Sequence, residues 1–324
     1  MLVSPGEREI TKILIREFVR MHTIADEIML KYYKKENNEY LDEGIEELRA
    51  AISQQINRII SQSSEFLTEW AGDLQDEVFE HIAQNMQRYG FSEDMLKVIL
   101  RNTDVQAAEE AIRMFSENSE VMEYLREKLG NNVDDLIRII TEGLAAGRHP
   151  YEVSRVLRDT IGMLLTDAIR YARSLMLKAS REVSLRWYRA NSDIIVGWRW
   201  LATLDDRTCF ACLMLDGKVF PLSASFDEHP NGRCSSEPIF ADDALSDYDI
   251  ELPDFDRTFG KEWFEDLPES EKMKILGPSA YRAYKAGEAK PEDFIGHKKG
   301  PFGPMYYKRS LREILGDRAK DFYR

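Results

Sequence analysis

The sequence predicts an α+β protein that is predominantly α-helical, built from long helical hairpins and one small β-rich module. Apolar residues recur at alternating three- and four-residue steps through most of the first 190 positions, and the period shortens to two only after Asn191-Ser192-Asp193. All the cysteines, Cys209, Cys212 and Cys234, fall inside the short segment that follows that change. At 324 residues the chain is long enough for roughly two or three compact units and at least one sizeable core.

The composition, 43% hydrophobic and 31% charged, is that of a globular chain rather than a disordered one. No stretch approaches the ~18 apolar residues that would span a bilayer. The net charge of −14 argues against a dedicated duplex-DNA binder, which needs surplus Lys and Arg where it neutralises phosphates, so any nucleic-acid contact must be local. Residues 1–9 lack a basic segment followed by an apolar one, so no signal peptide is expected. An odd, small number of cysteines suits a reducing cytoplasm better than a disulfide framework.

Taken in order, residues 1–132 form a helical arm. Ile10, Leu14, Phe18, Met21, Ala25, Ile28 and Tyr32 make one apolar stripe, and Ile45, Leu48, Ile52, Ile56, Ile59, Phe66 and Trp70 make a second. The polar link Glu36-Asn37-Asn38-Glu39 joins them as an antiparallel hairpin. Tyr89-Gly90, Asn102-Thr103-Asp104 and Gly130-Asn131-Asn132 punctuate shorter helices.

Residues 133–196 are expected to form a helical domain in which Gly147-Arg148-His149-Pro150 separates two helices. In the longer one, Leu165, Ile169, Ala172, Met176, Ala179, Val183 and Trp187 keep to one side. Basic residues crowd the remainder: Arg155, Arg158, Arg170, Arg173, Lys178, Arg181, Arg186 and Arg189 outnumber Asp159, Asp167 and Glu182. Such a run is either a solvated face or a surface for phosphate or an acidic partner.

Residues 197–240 form the β-rich module. A strand is expected where Ile195, Gly197, Arg199 and Leu201 alternate with Val196, Trp198 and Trp200. Met214-Leu215 and Val219-Phe220 flank Asp216-Gly217 as a hairpin with a type I′ turn. Roughly 40 residues bury too little surface to fold alone, so the module needs a staple or a host. In residues 241–324, Ala241 to Asp249 is an exposed acidic linker, Pro268-Glu269-Ser270 opens a helix ended by Gly277-Pro278, and Gly300-Pro301-Phe302-Gly303-Pro304 is an irregular connector. Ser310-Leu311-Arg312-Glu313 is a capping box opening a last helix with Leu311, Ile314 and Leu315 as its buried edge.

Chemistry concentrates in the module. Cys209-Phe210-Ala211-Cys212 places two thiols where both reach one tetrahedral ion, and His229 and Cys234 complete a Cys3His set. Thiolates and an imidazole favour Zn2+ over Mg2+ or Ca2+, and four protein ligands leave no open position, which makes the zinc structural. A redox Cys-x-x-Cys pair would leave Cys234 unexplained, and three buried thiols packed as apolar residues is the other alternative. His22, His81, His149 and His297 lie far apart and are expected to be surface or half-buried helix residues. Asp205, Asp206 and Asp216 could bind a metal ion for phosphodiester cleavage, but turn formation explains them better.

These residues also carry a resemblance. Thr203 to Cys212, with Asp205-Asp206-Arg207-Thr208-Cys209-Phe210-Ala211-Cys212, then Asp216-Gly217, then His229-Pro230-Asn231-Gly232-Arg233-Cys234, resembles the minor head or head morphogenesis proteins of tailed bacteriophages, the phage Mu F-like family. That family shows Asp-x-Arg-Thr-Cys-x-x-Cys, an Asp-Gly turn and a closing His-Pro-x-Cys-Arg-Cys. Weaker similarity extends to the turn at 143–150 and the helix after it, to Ile275-Leu276-Gly277-Pro278, and to the capping box at Ser310. Two positions depart: Gly232 stands where the family usually has cysteine, and Ala172-Arg173-Ser174-Leu175 replaces Ala-Arg-Thr-Glu. The resemblance implies a non-enzymatic virion component, present in few copies. It would act in capsid assembly, associate with the portal vertex or inner capsid surface, and reside in the host cytoplasm before packaging. The Arg155 to Arg189 helix could then face phage DNA or an acidic portal surface. A metal-dependent phosphodiesterase or toxin-like enzyme on the same scaffold is the alternative.

Overall fold

The first predicted stripe is buried along its length. Helix α1 (Pro5–Tyr33) buries Ile10, Leu14, Phe18, Met21, Ala25 and Ile28, as a 3.6-residue repeat requires. The computed structural model describes residues 5–33, 39–88, 91–99, 113, 115, 119–146, 148–241, 257–300 and 303–323. Glu36-Asn37-Asn38, the side chain of Tyr32, Tyr89-Gly90, Asn102-Thr103-Asp104 and residues 242–249 of the acidic linker lie outside it.

Helix α2 (Glu39–Arg88) buries Leu48, Ile52, Ile56, Ile59 and Trp70 as expected, whereas Ile45 and Phe66 are only half-buried. Ile60, Leu67, Ala71 and Leu74 take inward places instead, because a stripe drifts around so long a helix. Lys31 pairs with Glu47 at 2.6 Å, Gln55 donates to Glu17 at 2.9 Å and Arg16 donates to Gln62 at 3.0 Å, so partners descend one helix as they climb the other: an antiparallel hairpin. Burial would raise the pKa of Glu17, but hydrogen bonds from Arg16 and Gln55 and the charge of Arg20 hold it below the usual carboxylate range.

Helix α3 (Glu93–Ile99) is followed by α4 (Glu120–Gly130), which Ser119 caps by accepting the Met122 N–H at 3.2 Å. The break at Gly130-Asn131-Asn132 leads into α5 (Val133–Ala145), and α6 begins at the expected proline (Pro150–Ala190). It buries Ala172, Met176, Ala179, Val183 and Trp187, with Leu165 and Ile169 half-buried. The chain resolves into two compact units, residues 1–73 with 109–176 and residues 74–108 with 177–324. The regular elements described in the first are all helices.

In the second unit, β1 (Ile195–Leu201) lies between β2 (Val219–Pro221) and β3 (Ser235–Phe240), antiparallel to both. A bulge between Ile195 and Gly197 interrupts the alternation, leaving Val196 exposed while Trp198 and Trp200 are fully buried. Trp198 stacks on Phe220 at 4.5 Å and Trp200 on Phe226 at 4.2 Å.

The predicted hairpin at Asp216-Gly217 is corrected. Met214 and Leu215 belong to a short helix, α7 (Phe210–Leu215), all six residues of which are buried. Asp216 has φ −57° and ψ 129°, Gly217 has φ +83°, and the Lys218 N–H donates to the Leu215 carbonyl at 2.9 Å. That is a type II turn, in which only the glycine takes positive φ, carrying the chain from helix into β2.

Helices α8 (Gly260–Asp266), α9 (Glu269–Leu276) and α10 (Pro278–Lys285) follow. Of the segment read as an irregular connector, Gly300 ends β4 (Ile295–Gly300) and Gly303 and Pro304 open β5 (Gly303–Lys308), which pairs with it, while Pro301-Phe302 lie outside the described residues. The capping box at Ser310 and Glu313 opens α11 (Leu311–Leu315) as expected. Phe210, Leu213 and Met214 of α7 pack in one core with Phe264, Tyr281 and Phe294. The β-rich module therefore has a host: its helix is seated in the C-terminal core.

Candidate metal centre

Helix α7 sets the first pair of candidate ligands. Cys209 is its N-cap and Cys212 lies in its first turn, where residues three apart share a face. Thr208 and the backbone of Arg207 bond to the Asp205 carboxylate, each at 3.0 Å, folding the approach to Cys209 into a tight turn.

The second pair comes from the loop between β2 and β3. His229 Nδ1 lies 2.9 Å from the Pro230 carbonyl, which orients Nε2 toward Cys212 Sγ at 3.2 Å. Asn231, with φ +64°, and the Gly232 N–H donating to the His229 carbonyl at 3.0 Å turn the chain back to Cys234. The donor atoms of Cys209, Cys212 and His229 lie within 4.8 Å of one another, and so do those of Cys212, Glu228 and Cys234. Cys212 is the shared vertex, and all the residues expected to bind metal come together around it. This group could hold a metal ion.

Its electrostatics are those of closely packed, mutually bonded thiols beside an imidazole. A hydrogen bond from Cys212 and the proximity of His229 bring the Cys209 thiol down to about 4, against the cost of burial. Burial would lower His229, but Cys209 overrides it and raises the imidazole to about 9. Cys212 is pushed up by its bonds to Cys209 and Cys234, and Cys234 is raised by burial and Glu228 although its bond to Cys212 pulls the other way. Closely packed thiols cannot all ionise without a counter-charge, so a divalent cation would displace their protons.

Glu228 has no place in the sequence-derived set, yet its side chain is 1% exposed and sits against two of the sulfurs. It accepts the Cys234 N–H at 3.0 Å and pairs with Arg181. Arg181 also donates to the carbonyls of Cys234 and Gly232, both at 3.0 Å. The only advance signals were Glu228 preceding His229 in the chain and the missing side chain at Gly232. Nothing local points to Arg181, which lies 51 residues from Gly232.

The basic helix is accordingly divided. Arg189 donates to the carbonyls of Leu222 and Ala224 at 2.9 and 3.3 Å, Arg186 pairs with Glu182, and Arg173 with Glu7, so these groups hold the fold together. Arg155, Arg158 and Arg170 are exposed, the last paired with Asp167.

The three aspartates do not gather into a ligand group among the described residues. Asp205 binds Arg233, and Asp206 is exposed. Asp216 is buried, accepting the N–H groups of Ala202 and Gly260 at 2.6 and 2.8 Å and pairing with Arg257 at 3.0 Å. His297 pairs with Asp227 at 2.8 Å, pinning the ligand loop to β4. No helix among the described residues is long and apolar enough to cross a membrane. The chain matches no protein-family model, no curated protein and no solved structure.

Proposed function

We propose that this protein is a structural minor head protein of a tailed bacteriophage, in which Cys209, Cys212, His229 and Cys234 hold a zinc ion that serves the fold. The observation that carries the metal reading is the convergence of three sulfurs and an imidazole on one small cleft of about 30 Å3. Three soft donors and one borderline donor suit zinc, and four protein ligands fill its tetrahedron.

The phage reading rests on the motif between Thr203 and Cys234. Its residues have work that is structural: two pairs of ligands, the Asp205 turn, and the Asp216-Gly217 passage from α7 to β2. The partner is the portal vertex or the inner capsid surface. Any contact with packaged DNA falls to Arg155, Arg158 and Arg170, since the arginines nearer the metal centre bind the chain itself. The phosphodiesterase alternative draws no support from where Asp205, Asp206 and Asp216 lie.

Co-expression with the portal and major capsid proteins of the same genome tests the proposal. The chain should copurify with assembled heads and carry about one zinc. Heads that assemble normally without it and never contain it would overturn the phage reading. Metal-loaded protein that cleaves DNA or RNA, with cleavage lost in Asp206→Ala at unchanged stability, would replace it with the enzyme.

A further inference from the structure

Two of the four ligands, His229 and Cys234, sit on a loop with no regular secondary structure between Pro221 and Ser235. Loops of this kind do not hold side chains to metal-ligand tolerance unaided. One guanidinium spans this one. From α6, Arg181 reaches the Glu228 carboxylate at the middle of the loop and the Gly232 and Cys234 carbonyls at its far end. Glu228 closes the bracket by accepting the Cys234 N–H. His229 and Cys234 are thus each next to, or part of, a residue that this pair fixes. Arg181 is further seated over the Phe226 ring at 5.1 Å.

Gly232 belongs to the same device. A Cβ at that position would run into the Glu228 carboxylate, so the missing side chain is the space Glu228 occupies. Glycine there and a buried glutamate four residues earlier are one structural choice.

We propose that Arg181 and Glu228 are the positioning pair of the metal centre, holding His229 and Cys234 over the Cys209–Cys212 turn before an ion arrives, with Gly232 as the space they require. The proposal rests on the metal reading above and adds who organises the site. Glu228 acts from outside the coordination shell, because one of its oxygens takes a backbone N–H and the other faces Arg181. A lysine at 181 would carry the charge but could not fork to a carboxylate and two carbonyls.

Cobalt(II) is the probe, since its visible absorption reports ligand number and its thiolate charge-transfer band reports sulfur ligation. The metal-free full-length chain is titrated with cobalt, then with zinc in competition, in wild type, Arg181→Lys, Glu228→Gln and Gly232→Ala, alongside melts of each metal-free protein. All three variants should bind roughly 10- to 100-fold more weakly. Their cobalt spectra at saturation should keep the wild-type shape, and the metal-free melts separate the affinity loss from the destabilisation expected where Glu228→Gln leaves Arg181 without its charged partner. Gly232→Ala disturbs Glu228 without removing any charge, so it keeps the test decisive if a charge variant folds poorly. Unchanged affinity in the variants overturns the positioning role. A Glu228→Gln spectrum of altered coordination number overturns it in favour of Glu228 as a ligand. Wild-type protein that takes up neither ion overturns the metal reading beneath it, a result distinct from either.

Discussion

Arg233 lays two guanidinium nitrogens on the two oxygens of Asp205, at 2.6 and 2.5 Å, so the residue beside Cys234 is tied to the turn that leads into Cys209. The two halves of the metal centre are therefore coupled through the protein as well as through any ion. The pair holds the Asp205 carboxyl far below the usual carboxylate range, Arg233 being the largest cause. Asp205→Asn keeps the shape and removes the charge, leaving the Arg233 guanidinium partly buried without its partner. We expect a loss of about 1–3 kcal/mol in chemical denaturation of the zinc-saturated protein.

Metal removal should soften the fold without abolishing it. Because α7 is seated in the core with Phe264 and Phe294, the strand-and-loop half of the site is what an ion would secure. At free zinc a thousandfold above its dissociation constant the linkage contributes about 4 kcal/mol, or roughly 6 °C in a chain of this size. Excess chelator should lower the melting temperature by about that amount with the helical circular dichroism retained. Cys212→Ser should match the chelated wild type and show no further response to chelator, since Cys212 belongs to both donor groups.

The first apolar stripe was legible in the sequence because its period repeats: Ile10 to Ile28 are buried as the stripe predicts. The group that could hold a metal ion was legible because cysteines and a histidine are rare and were grouped. The passage at Asp216-Gly217 was not, for a physical reason. Asp-Gly between apolar flanks serves a hairpin and a helix-to-strand turn alike, and a six-residue helix buried on all sides shows no period. What decides it is the core supplied by residues beyond 260, which a local pattern does not contain. Arg181 was hidden likewise, because a row of arginines does not reveal which one reaches a carbonyl 53 residues away.

A carboxylate outside the centre should set part of the pH dependence. Burial pushes Glu237 up to about 7, although Arg199 lies 2.8 Å away and pulls it down. The folded chain therefore binds a proton that the unfolded chain releases near pH 4.5. This contribution is fully present below that value and is lost as pH rises toward 7. Glu237→Gln should remove the decline, so that the difference in unfolding free energy between variant and wild type grows by up to about 3 kcal/mol between pH 4.5 and 8. Urea denaturation across that range, with both proteins zinc-saturated so that the metal's own pH dependence cancels, reads it directly.

Binding to packaged DNA, where it occurs, should follow the division of the basic helix. Neutralising Arg155, Arg158 and Arg170 together should reduce the salt dependence of DNA binding by roughly three counterions, a slope change near 2.7. Substituting Arg189 should instead loosen the 222–224 segment it holds and leave that slope where it was. Filter binding at several salt concentrations separates the two, and equal slope changes for both groups would remove the distinction.

The seating of α7 implies a coupling between the core and the metal that neither ligand mutations nor chelation would expose. Phe210 lies between Cys209 and Cys212 in the chain, is 1% exposed, and meets the rings of Phe264 and Phe294 edge-on at 4.9 and 5.4 Å. Phe210→Ala removes that anchor and should cost about 3–5 kcal/mol. Were the helix indifferent to its seat, zinc affinity would be untouched. Because the first turn of α7 fixes the distance between the Cys209 and Cys212 sulfurs, loosening it should also weaken zinc binding, while Phe294→Leu, which keeps an apolar contact with Phe210, should leave affinity near wild type. Competition with a chromophoric chelator measures both, and equal affinity in wild type and Phe210→Ala would mean that the ligand turn is held by the loop side alone.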